Sequence, residues 1–332
     1  MSATDKIYQD RASYSRQRLA ELRTRFSKLS EVTGFPNLTI FSAGSYARLE
    51  ASEHSDLDLF FLCETPRDKT EERKTKSLRM FGKIINSVEE MNFPKFSNDC
   101  EFLELLYADE ILENLGGRTD DHLNFFTARM LLLLESQCLF GDASFKTITS
   151  NIVSSYFKDY PDHKQTFMPM FLLNDICRFW KTLLLNYEHK RNVRDPDSQE
   201  RQVKQKVRNF KLKYSRMTTC FASIAALGSH LAPVKEEHVL NLLKLTPHER
   251  LKSVAERIDS LKGAVEDVLE RYAWFLEQTA KPKEELESMF VDKQKRGEMF
   301  QKANEYGDTM FDLLKAIDST EPKFRLFRNL VV

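Results

Sequence analysis

The chain has 332 residues, enough for two or three domains that each bury a core. Its 50 Lys and Arg balance 50 Asp and Glu, and 41% of its residues are apolar, so it reads as a globular chain whose contacts with nucleic acid, if any, are local patches. The N-terminus is polar, no apolar run approaches the ~20 residues of a membrane span, and the five cysteines form no C-x-x-C pair. A cytoplasmic setting without a membrane contact is therefore expected, and the seven histidines show no zinc spacing.

Residues 4–32 form a predicted amphipathic helix, with Leu19, Leu22, Phe26 and Leu29 at helical spacing. Gly34-Phe35-Pro36 ends it. From Leu38 to Leu62 the pattern changes to strand, Gly44-Ser45 turn, connector and second strand. In the second strand Asp56 and Asp58 share a face at about 7 Å spacing, while Leu57 and Leu59 face the core. Two carboxylates so placed can hold a pair of Mg²⁺ ions about 3.5–4 Å apart, with substrate phosphates completing the shells. Gly44 permits close backbone approach, and the turn's N–H groups and the Ser45 hydroxyl suit an anion. A helix starting near Tyr46 would direct its N-terminal dipole at the same phosphates.

A charged helix follows over about 69–91, then a short strand within Asn98–Tyr107 that carries Asp99, Glu101 and Glu104. Gly116-Gly117 precedes a predicted helix over 121–140. The expected order is a small mixed sheet with helices on one side.

Gly44-Ser45 followed by Asp56-Leu57-Asp58 resembles the signature of the DNA polymerase β-like nucleotidyltransferase superfamily. Phe126-Thr-Ala-Arg129 through Phe140-Gly141-Asp142 resembles the helix after the catalytic core in the nitrogen-regulatory-protein uridylyltransferases and their standalone relatives. Together the two matches cover roughly residues 35–145. The resemblance implies a third carboxylate from a neighbouring strand, as metal ligand or base, for which Glu101 ranks before Glu104. It also implies a basic side chain in a following helical domain that steadies the triphosphate.

From residue 144 onward the pattern is helical. In the helix over 169–187, Asn174, Arg178 and Lys181 share a face. In that over about 202–226, Lys204, Arg208, Lys211 and Ser215 form a stripe opposite Val207, Phe210, Tyr214, Met217 and Phe221. Such a stripe also suits a plain surface helix. For the triphosphate, Lys211 and Arg178 rank first, with Lys181 and Ser215 behind them. A polar loop is expected at Glu188–Glu200, and Thr246-Pro247-His248-Glu249 reads as a helix start. The apolar end, Phe324–Val332, is expected to dock, with a partner subunit as one choice.

The expected fold class is α+β. A catalytic domain spans 1–145, a helical domain completing the nucleotide cleft 146–235, and a C-terminal helical bundle 236–332. The resemblance implies transfer of a nucleoside monophosphate from an NTP or dNTP, with Mg²⁺ or Mn²⁺, to a hydroxyl acceptor. A nucleotide or short oligonucleotide signal in bacterial anti-phage defence, nucleotidylation of a partner protein, and a non-catalytic scaffold that keeps the fold all stay open. A helical nucleic-acid binder using the Lys204–Arg216 stripe ranks last, because the chain is neutral.

Overall fold

The computed structural model describes residues 2–64, 66, 71–94, 96, 103–192, 199–230, 233–320 and 326–331. These fall into two compact units, one of Tyr8–Ser155 and one joining Met1–Ile7 to Tyr156–Val332. The described part is a mixture of α and β, mostly helical, with a four-stranded mixed sheet.

The sheet unit holds most of α1 (Ala3–Phe26) and the single turn α2 (Ser30–Thr33). The expected helix over 4–32 is thus two pieces. Ser27 spends its hydroxyl on the Thr24 carbonyl, which offers the backbone an alternative to helix at that point. Next come β1 (Leu38–Ala43), the turn α3 (Gly44–Ala47), β2 (Asp58–Cys63), α4 (Glu71–Glu90) and β3 (Leu105–Tyr107). The short helices α5 (Ala108–Glu113) and α6 (Arg118–His122) lead to α7 (Phe125–Leu134), β4 (Gln137–Phe140) and α8 (Asp142–Ser155).

Strand order is β3-β2-β1-β4, with β1 antiparallel to both neighbours and β2 parallel to β3. The β4 strand corrects the expected helix over 121–140. That helix stops at Leu134, Glu135 leaves the helical conformation at φ −151° and ψ 71°, and Gln137–Phe140 fill the free edge of β1. On one face Ile40, Leu57, Leu59 and Phe61 pack with Leu19, Leu22 and Phe26 of α1 and Met80, Ile84 and Val88 of α4. On the other, Phe41 stacks on Phe60 at 5.4 Å and meets Phe145 of α8 at 6.3 Å. Helices therefore cover both faces, not one, and β1 is buried along its whole length.

α7 is buried nearly all round, and its Arg129 is fully enclosed. The guanidinium grips Asp120 with two bonds of 2.7 and 2.8 Å, and Asp120 also accepts from the Gly116 N–H. This bidentate pair ties α6 to α7 and gives Arg129 a structural partner of opposite charge.

The helical unit contains α9 (Met170–Asn192), α10 (Gln199–Lys211), a π-helical stretch over Leu212–Arg216 and α11 (Met217–Gly228). It continues with α12 (Glu236–Leu243), α13 (Pro247–Arg257), α14 (Lys262–Gln278), α15 (Lys283–Val291), α16 (Lys293–Thr320) and α17 (Leu326–Val331). The helix start at Thr246 forms as expected, with the Thr246 N–H donating to Glu249 Oε2 at 2.7 Å. Tyr214 lies between Phe275 and Tyr306, with ring centroids 4.7 and 4.6 Å away. Of the apolar C-terminal segment, α17 is described, and its Leu326 is buried against Gly228 and Ile317 of the same chain. Among the described residues no helix is long and apolar enough to cross a membrane.

Candidate active site

β1 ends at Ala43 and the chain turns sharply, because Gly44 adopts φ +71°, a left-handed conformation that glycine accepts without steric cost. Gly44, Ser45, Tyr46 and Ala47 make the single turn α3, closed by the Arg48 N–H on the Gly44 carbonyl at 3.0 Å. Ser45 is partly exposed, whereas Tyr46 is buried and packs edge-on against Phe93. Burial, together with Tyr14, pushes the Tyr46 hydroxyl well above its ordinary pKa, so this tyrosine anchors the turn as a neutral phenol.

The register of the sheet supplies the other half of the site. Ala43 pairs with Asp58, so the first residue of β2 lies beside the residue preceding the turn. A Cβ placed on Gly44 would come within 2.6 Å of Asp58 Oδ2, so the carboxylate occupies the space that glycine leaves open. Asp58 is half-buried and Asp56, two residues before it and just outside β2, is exposed. The intervening Leu57 is 1% exposed and fills the core, as the alternation requires.

Of the candidate third carboxylates, Glu101 and Asp99 lie outside the described residues. Glu104 is exposed and immediately precedes β3. Continuing the alternation of β3 by one residue sets Glu104 on the face of Leu106, whose partner Leu62 shares its face with Asp58. Among the described residues no group of three acidic, histidine or cysteine side chains converges on a metal position. The two aspartates fit a hard divalent cation by donor type, since both offer carboxylate oxygens.

Below the turn lies a group that the sequence pattern did not single out. Arg48 donates from Nε to Glu50 Oε2 at 2.8 Å and from Nη1 to Glu135 Oε2 at 2.5 Å, and all three side chains are buried. Glu135 comes from the junction of α7 and β4, and Gln137 of β4 reaches the Ala47 carbonyl at 3.5 Å. The only signal in the sequence was a glutamate directly after four leucines, Leu131–Leu134.

The basic candidates belong to the helical unit. Arg178 is partly exposed and donates to the buried Asp175 at 3.3 Å, while Lys181 is exposed one turn further along α9. Lys211 is exposed at the end of α10. Ser215 is 7% exposed, and its hydroxyl donates to the Lys211 carbonyl at 2.8 Å. The π-helical stretch is the reason: its wider turn changes the phase of the helix, so Lys211 and Ser215 part to solvent and interior.

A shallow concavity of about 620 Å³ lies along α1 beside Met91 and contains none of the candidate residues. The chain matches no protein-family model and no curated protein.

Proposed function

We propose that the chain is a metal-dependent nucleotidyltransferase that moves a nucleoside monophosphate from an NTP or dNTP to a hydroxyl acceptor and releases pyrophosphate. The observation that carries this reading is the contact between its two halves: the Asp58 carboxylate occupies the space over Gly44 that a side chain would fill. A phosphate seated on the turn's N–H groups and the Ser45 hydroxyl would thus meet carboxylate oxygens at once.

Asp58 and Asp56 would hold Mg²⁺ or Mn²⁺, which when bound neutralises charge on the triphosphate and the leaving pyrophosphate. Gly44 and Ser45 orient the β and γ phosphates. Glu104 or Glu101 accepts the proton of the attacking hydroxyl. The acceptor is a nucleotide or a short oligonucleotide, as in a defence signal, or a partner protein.

The test is incubation with each labelled triphosphate and Mg²⁺ or Mn²⁺, with mass spectrometry of the protein and small-molecule fractions. Pyrophosphate release is expected, and Asp58→Ala and Asp56→Ala should each abolish it while the circular dichroism spectrum is unchanged. Release that persists in both variants overturns the reading. Triphosphate binding that ignores the metal and yields no product favours a non-catalytic scaffold instead.

A further inference from the structure

The buried group beneath the turn holds one guanidinium and two carboxylates, with side chains 6%, 3% and 0% exposed. Burying such a set costs desolvation, and an apolar trio of the same volume serves stability as well or better. Its placement gives the set another use. The Arg48 N–H closes on the Gly44 carbonyl at 3.0 Å and the Glu50 N–H on the Ser45 carbonyl at 2.8 Å. The two residues that carry the ion pair therefore also hold the two residues of the phosphate turn.

Arg48 and Glu50 are two apart in sequence, a spacing that separates side chains on a helix. They meet because Leu49 between them adopts φ +58°, a left-handed conformation that a bulky side chain enters only under constraint. The second arm of Arg48 reaches Glu135, at the start of the segment that becomes β4, and β4 pairs with β1. The connector on the way to Asp56 is fixed again where the Ala51 N–H donates to the buried Ser15 hydroxyl at 3.0 Å.

The geometry assigns Arg48, Glu50 and Glu135 as positioning residues that hold the Gly44-Ser45 turn in register with Asp58 for the triphosphate. This rests on the nucleotidyltransferase reading. The three side chains are buried, and Arg48 and Glu50 bond through their N–H groups to the turn's own carbonyls, so their effect is on where the turn's N–H groups point. Loosening such a support weakens substrate binding before it weakens the fold.

Two sets of variants test the assignment, alongside the unaltered chain. Arg48→Lys keeps one positive charge but loses the fork that reaches both carboxylates. The combination Arg48→Met, Glu50→Gln and Glu135→Gln removes the charges together and leaves none unpaired. Thermal melting, calorimetric titration of a non-hydrolysable triphosphate with Mn²⁺, and the separation of KM from kcat are the readouts. The triple variant should melt within a few degrees of the parent, and in both sets the triphosphate Kd and KM should rise about tenfold or more with a smaller change in kcat. Lowered melting with unchanged Kd and KM would make the group structural only and overturn the assignment. Should the triple variant fail to fold, Arg48→Lys and Glu135→Gln alone decide by the same two constants. A parent chain that binds no triphosphate would instead remove the nucleotidyltransferase reading itself, and with it this role.

Discussion

At the scale of single residues, Gly44 carries two demands at once. Its φ of +71° disfavours any L side chain, by about 1–2 kcal/mol for a residue in that region. An added methyl would also meet the Asp58 carboxylate at 2.6 Å and push it aside. Gly44→Ala is therefore expected to fold, with a slightly lowered melting temperature, and, on the nucleotidyltransferase proposal, to lose at least about a hundredfold in nucleotidyl transfer, the penalty typical of a misplaced reacting group. Near-parental turnover would show that the carboxylate need not stand where it does. The turn at Gly44-Ser45 and the strand that begins at Asp58 were legible because both are local, set by a turn residue and a period of two. Arg48, Glu50 and Glu135 were not, since a contact across 87 residues leaves no trace in spacing.

At the scale of elements, the same limit explains what the periodicity missed. The run Phe126–Phe140 is apolar enough to extend as helix, and only the pairing of Gln137–Phe140 with β1 converts its end into a strand. The π-helical stretch over 212–216, which contains Tyr214 stacked between two aromatic rings, is equally silent in the sequence. The Asp120–Arg129 pair offers a measurable counterpart. Asp120→Ala would leave Arg129 buried without its carboxylate, and a loss of about 3–5 kcal/mol is expected in urea unfolding followed by circular dichroism. A loss below about 1 kcal/mol, the range of a surface pair, would mean that water or another group reaches the guanidinium.

At the scale of the whole molecule, the neutral composition hides an acid-sensitive point in the helical unit. His230 stacks on His238 with ring centroids 4.9 Å apart. Burial, then Arg257, then His238 hold its imidazole down at about 4. The folded form thus disfavours a proton that the unfolded chain accepts near the ordinary histidine value of about 6.5. Stability from this group is fully present above that value and is lost as the pH falls towards 4. Melting temperature should fall across that window, and His230→Gln should flatten the fall; an identical profile in the variant would discount the site. Among the described residues, the combination of helices with a small mixed sheet and the helical second half were legible, since both follow from pattern alone.

One further consequence comes from where the unit boundaries fall. The division crosses the chain twice, after Ile7 and after Ser155, and the Asp5–Lys252 ion pair at 3.2 Å belongs wholly to the second unit. In sequence, the sheet unit is thereby inserted between two parts of the other, like a clause between commas. Severing the polypeptide at residue 155 would strand seven residues with the wrong fragment, so a faithful separation requires excision at both seams.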